Sequence, residues 1–175
     1  MEDDRTLIAR FLQGDQRAFD GLVLAHQEKV RQFLYRATGD VDETNDLAQE
    51  VFIKVYHHLH RFRGDSEFST WLYRVTANVL NSYFRKQRLR SWIPLGERED
   101  LEARPRGDDQ DERFRELLAQ LPKLSAQERQ VVILRGLQEL PVADTARILD
   151  TSENAVKVAY HSARKKLKEL LQDEP

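Results

Sequence analysis

The chain has 175 residues, 40% hydrophobic and 33% charged, which is enough apolar material for one ordinary domain or two small ones beneath a heavily charged surface. Zero cysteines exclude disulfides, thiol nucleophiles and cysteine-ligated zinc or iron–sulfur centres in this chain. No apolar run approaches the roughly 20 residues that span a bilayer, the start Met1 to Arg5 lacks the basic-then-apolar order of a secretory signal, and a net charge of −2 is no general glue for nucleic acid; a cytoplasmic chain with no membrane insertion is expected.

The distribution of charge says more than its sum. Residues 1–90 hold 14 basic and 13 acidic side chains, residues 91–112 hold 3 and 8, and residues 113–175 hold 11 and 9. The acidic middle also carries Pro94, Gly96, Pro105 and Gly107, the composition of a linker. Helical periodicity dominates both flanks and no long stretch alternates apolar with polar. The expected fold is all-α, with helical domains at 1–90 and 112–175 and a flexible acidic linker at 91–111.

In chain order, a short first helix is expected to end at Gly14, with Asp15 capping the second. The second places Phe19, Leu22, Val23, Val30, Phe33, Leu34 and Ala37 on one stripe and stops at Gly39. A third runs from near Asp42 to Leu59 with Leu47, Val51, Phe52, Val55 and Leu59 inward. After Arg61 to Asp65, a fourth begins around Ser66 to Phe68 and continues towards Arg88, closing a four-helix bundle. Its inward stripe is Phe68, Trp71, Leu72, Val75 and Val79. On the other side Arg74, Asn78, Asn81, Arg85 and Arg88 recur at helical spacing, a row of hydrogen-bond donors flanked by Tyr73, Tyr83 and Phe84. Such a face suits phosphate contacts, base edges and stacking on unpaired bases, although a solvated polar face explains it as simply.

Beyond the linker, Ser125 to Glu128 form a capping box that opens a helix with Val131, Val132, Leu134 and Leu137, for which Gly136 is the expected stop. Pro141 fits the first position of the next helix, whose apolar side is Ala143, Ala146, Ile148 and Leu149. Asp150-Thr151-Ser152 makes a tight turn and Ser152 caps the last helix. There Val156, Ala159, Ala163, Leu167 and Leu170 face inward while Lys157, His161, Arg164, Lys165 and Lys168 face out. Short helix, tight turn and basic second helix make a helix-turn-helix, with Ala146 and Ala155 small enough for close approach and Asp150 where glycine is usual. An ordinary hairpin with a basic last turn is the alternative.

The runs Asp46-Leu47-Ala48-Gln49-Glu50-Val51-Phe52, Phe62-Arg63-Gly64-Asp65-Ser66 and Thr70-Trp71-Leu72-Tyr73-Arg74-Val75, with Asn78, resemble region two of bacterial extracytoplasmic-function sigma factors, and the C-terminal half resembles their region four. The likeness covers about residues 5–90 and 112–172 and is nearest the sigma-E-like branch. It implies a transcription initiation factor that binds core RNA polymerase, through the beta-prime clamp and the beta flap, and directs it to promoter DNA under the control of an anti-sigma factor that is often a membrane protein. Asp46, Gln49, Glu50 and Phe52 match the helix that docks on the clamp. Phe62, Arg63, Gly64, Asp65 and Ser66 match the loop that captures an unstacked minus-ten base, and Arg74, Asn78, Asn81 and Arg85 the helix that follows the melted strand. In region four, Lys157, Arg164 and Lys165 match positions at the minus-thirty-five duplex, with Ser152, Asn154, His161 and Lys168 beside them. The family often has arginine where this chain has Ala159 and Ser162, and Thr44, Asn45 and Glu139 are further departures.

Other chemistries find little support. His57, His58 and His60 lie together without a paired histidine motif, and no metal, cofactor or catalytic residue is assigned. Walker, nucleophile-elbow and dinucleotide signatures are absent, so no enzyme is expected. A stand-alone helix-turn-helix regulator is the alternative function, and the DLAQEVF helix argues against it.

Overall fold

The computed structural model describes residues 2–90 and 109–172. The helices are α1 Asp4–Leu12, α2 Arg17–Thr38, α3 Val41–His58, α4 Phe68–Arg90, α5 Asp109–Gln120, α6 Ala126–Val131, α7 Val142–Leu149 and α8 Glu153–Gln172. Among the described residues the chain is all-helical, as its periodicity predicts. The expected linker lies largely outside them. Its last three residues fall in α5, which begins at Asp109.

Local chemistry explains most of the boundaries. Asp3 and Asp40 accept the backbone N–H of Thr6 and Glu43, which starts α1 and α3. Gly39 ends α2 in the left-handed conformation at φ 66°. At the turn before α2, Asp15 takes the N–H of Arg17 at 3.1 Å and the Arg10 guanidinium at 2.6 Å, although the residue flanking the helix is Gln16. Buried His26 contacts Asp4 at 2.8 Å and pins α1 across α2.

The second half departs from expectation at two places. Gly136 does not stop a helix: the backbone continues from α6 through a π turn over Val132–Leu137, and Glu139, at φ 56°, makes the reversal instead. Pro141 flanks α7 rather than occupying its first turn, so that helix starts at Val142. Asp150 does adopt the left-handed conformation, at φ 54°, and Ser152 Oγ accepts the Ala155 N–H at 3.1 Å. The capping box is complete, with Ser125 Oγ taking the Glu128 N–H and Glu128 taking the Ser125 N–H.

Apolar packing joins the two halves. Leu118, Leu121, Leu124, Ile133 and Leu134 belong to the same core as Val30, Phe33, Leu34, Leu72, Leu80 and Phe84. A smaller cluster of Val131, Ala146, Val156 and Ala159 seats α7 against α8. Burial of a large apolar side chain contributes roughly 1.5–3 kcal/mol, so this shared core binds the C-terminal half to the N-terminal bundle.

Candidate nucleic-acid and polymerase interface

The residues singled out in the sequence fall on α3, on the loop before α4 with α4 itself, and on α8, and they differ in exposure. On α3, Asp46 and Gln49 are exposed and one turn apart, while Glu50 is half-buried and its carboxylate lies 2.7 Å from Lys54 Nζ. Phe52 is half-buried against the core. Ile53, 57% exposed, extends the outward surface of this helix. The departure at Thr44 is structural, since its buried hydroxyl donates to Asp40 O at 2.5 Å and meets Thr38 Oγ1 at 3.0 Å.

The loop between α3 and α4 is held from beneath. Phe62 packs at 5.7 Å from both Phe68 and Trp71, so it anchors the loop rather than projecting from it. Arg63, Gly64, Asp65 and Ser66 are exposed, with Gly64 at φ 76° supplying a turn that other residues make at a cost. Behind this loop is a pocket of about 270 Å³, lined by Arg5, Ile8, Phe62, Gly64, Ser66 and Phe68 among others.

The α4 row is not a single solvent face, and tertiary packing is the reason. Arg74 donates Nε to Ile148 O at 2.7 Å and Nη2 to Arg147 O at 2.8 Å, at the end of α7. Asn78 Oδ1 accepts from Gln130 Nε2 at 3.1 Å. Asn81 is half-buried and its Oδ1 has no hydrogen-bond partner. Arg85 and Arg88 are exposed. Nor are the flanking aromatics free to stack on bases. Phe84 is buried, Tyr73 stacks on Phe33 at 5.5 Å, and half-buried Tyr83 lies 5.2 Å from Phe84.

On α8 the outward residues lie as their spacing predicts. Asn154, Lys157, His161, Arg164, Lys165 and Lys168 are all exposed, and Ser152 caps the helix from the turn. Arg164 lies over the Tyr160 ring at 5.9 Å, which aims it towards the edge of the stripe. Ala159 is buried. Ser162 donates to Glu128 Oε1 at 2.7 Å, and Lys166 Nζ lies 2.7 and 2.9 Å from the two Glu128 oxygens, so α8 is clamped to α6. Burial alone would raise the Glu128 pKa, but donation from Lys166, Ser162 and Ser125 overcomes it and holds the carboxyl at about 2.

Arg129, Gln130 and Gln138 also join the halves, although no motif in the sequence marks them for that contact. Arg129 is 4% exposed, lies over the Phe84 ring at 5.6 Å and donates one N–H to Leu124 O, while its Nε and Nη1 have no partner. Gln138 donates to Phe33 O at 2.9 Å. Neither type at its position announces such a role without the fold.

Residues 22–90 match the family model described as Sigma-70 region 2, and residues 114–167 match Sigma-70, region 4. The chain is 32% identical to the RNA polymerase sigma-H factor of Pseudomonas aeruginosa, across 98% of this chain and 95% of that one. It is 33% identical to the ECF RNA polymerase sigma-E factor of Escherichia coli K12, across 97% and 94%. The chain belongs to the extracytoplasmic-function sigma factors. As a sigma factor it binds core RNA polymerase and directs the enzyme to specific promoters. Among solved structures it is similar to CnrH in complex with the cytosolic domain of CnrY, with a TM-score of 0.62 at 25% identity over 98% of this chain and 99% of that one. It also shares the fold of the sigma factor RpoE from Bartonella quintana, with a TM-score of 0.57 at 23% identity over 90% and 98%. No described helix is long and apolar enough to cross a membrane.

Proposed function

We propose a division of labour among the three faces of this sigma factor. Asp46, Gln49 and Glu50 on α3 dock on the beta-prime clamp of core polymerase, with Phe52 fixing that helix against the bundle. The exposed loop Arg63 to Ser66 and the pocket behind Phe62 take an unstacked minus-ten base, and Arg74, Asn78, Asn81 and Arg85 follow the melted strand. Ser152, Asn154, Lys157, His161, Arg164, Lys165 and Lys168 meet the minus-thirty-five duplex, because a major groove about 12 Å wide admits one helix. The chain supplies recognition and the polymerase supplies chemistry, in the cytoplasm, without a cofactor.

The observation that carries this reading is the arrangement on α8: a cationic stripe, exposed along its length, on the second helix of a turn held by left-handed Asp150. Control by an anti-sigma factor is part of the proposal, since the sigma factor RpoE from Bartonella quintana, whose fold this chain shares, is solved in complex with the anti-sigma factor NepR. Reconstitution with core polymerase on a genomic fragment library, followed by mapping of transcript starts, tests it. Starts clustered downstream of one shared pair of elements are expected. Starts indistinguishable from those of core alone refute it.

A further inference from the structure

Val158 is a large apolar side chain in an unusual place. It lies in the second turn of α8 and is 61% exposed. At 100° per residue, Asn154, Val158, His161 and Lys165 form one stripe opposite buried Val156, Ala159, Ala163 and Leu167. Three members of that stripe are polar and Val158 is not. Isolated exposed hydrophobic residues are ordinary. What distinguishes Val158 is its position on the outward stripe of the helix, with Lys157 beside it. A β-branched residue is also a poorer helix former than Lys or Arg, so helix propensity gives no reason for it.

The surrounding chemistry narrows the role further. Phosphate contacts from Lys157, Lys165 and Lys168 would set affinity and register but carry no base identity. Ala159 is buried and Ser162 is committed to Glu128, so neither is available to read a base edge. Residues near the N-terminus of a recognition helix are those that reach base edges. In the major groove only thymine presents a methyl group, and apolar side chains recognise it by contact.

We infer that Val158 is a specificity-determining residue that packs its isopropyl group on the 5-methyl of one thymine in the upstream promoter element. The inference rests on the reading of α8 as the helix that enters the duplex. It assigns base identity to an apolar contact, and it leaves affinity to the lysines.

The test uses holoenzyme reconstituted from the full chain and core polymerase, on duplexes selected from a library randomised upstream. The unmodified holoenzyme should prefer thymine at one upstream position, and uracil there, which lacks only the methyl, should weaken binding about fourfold, as expected for exposing one methyl-sized group. Val158→Ser should bind the thymine and uracil duplexes equally, and Val158→Ile should restore the preference. Lys157→Ala should weaken both duplexes alike. Indifference of the unmodified holoenzyme to uracil at every upstream thymine, with Lys157→Ala still weakening binding, overturns the inference and leaves the helix reading intact. A thymine preference that survives in Val158→Ser overturns it as well. Indifference to the whole upstream element and to Lys157→Ala removes the helix reading and the inference together.

Discussion

Arg74 closes the end of helix α7, donating Nε to Ile148 O at 2.7 Å and Nη2 to Arg147 O at 2.8 Å across more than 70 residues of sequence. The terminal carbonyls of a helix lack intrahelical donors and carry partial negative charge, so a planar cation with parallel N–H groups satisfies them in both respects. The same side chain belongs to the face proposed for the melted strand. Closure of the two halves and engagement of that strand therefore compete for one guanidinium.

Loss of this contact should loosen the halves without unfolding either. Charged hydrogen bonds contribute about 1.5–3 kcal/mol each, and partial exposure of Arg74 reduces the figure here. Arg74→Ala should increase the radius of gyration measured by small-angle scattering while far-ultraviolet circular dichroism stays constant. Arg74→Lys should behave similarly, because one ammonium cannot reproduce the forked geometry. Scattering curves identical to those of the unmodified protein would show that apolar packing alone sets the closure.

Arg129 acts in the opposite direction. Its guanidinium is buried with two nitrogens unpartnered, and burial together with the nearby Arg88 charge lowers its pKa. A buried cation without a counter-ion costs free energy that its ring contact with Phe84 only partly offsets. Arg129→Met should therefore raise stability towards urea by about 1–3 kcal/mol, by the precedent of buried charges replaced with apolar side chains. A lowered urea midpoint would mean that the Phe84 and Leu124 contacts outweigh the desolvation.

Glu128 makes the C-terminal half sensitive to acid. Its folded pKa, about 2, lies below the ordinary 4.5, so its contribution is fully present above pH 4.5 and is lost as the pH falls towards 2. At 1.36 kcal/mol per unit the ceiling is about 3 kcal/mol, reduced because Lys166 is half exposed. Glu128→Gln should melt at a lower temperature than the unmodified protein at pH 7, with the difference shrinking by pH 3. A gap that is constant with pH would assign the role to shape rather than charge.

Gly39 should resist substitution. At φ 66° a side chain is strained by about 1–2 kcal/mol, and an added Cβ would lie 3.2 Å from Leu118 Cδ1. Gly39→Ala should cost at least that much in urea denaturation, and Gly39→Asn less, because asparagine tolerates the left-handed region better. Equal, negligible losses would show that the turn relaxes freely.

Where one local rule governed, the residues could be read directly. Gly39, the box from Ser125 to Glu128, Asp150 and the two stripes of α8 are each fixed within a few residues of sequence, and the structure bears them out. The α4 face could not be read in this way. Arg74 and Asn78 are polar and regularly spaced whether water or α7 and α6 cover them, and their partners Ile148 and Gln130 lie 74 and 52 residues away. Gly136 misled for a related reason: helix-breaking glycine is tolerated when the backbone widens into a π turn and a later residue, Glu139, takes the positive φ.

The most direct measurement is core polymerase binding and promoter-specific initiation by Asp46→Arg with Gln49→Arg. Both residues are exposed on α3, whereas Glu50 is tied to Lys54, so the exchange alters the outward charge without breaking a contact within the helix. Placing cations where the partner meets an anion and an amide costs several kcal/mol at an interface, while arginine preserves the helix. The variant should keep its circular dichroism spectrum and neither bind core nor initiate at the promoter. Undiminished initiation at the same start site would contradict the docking role of this face.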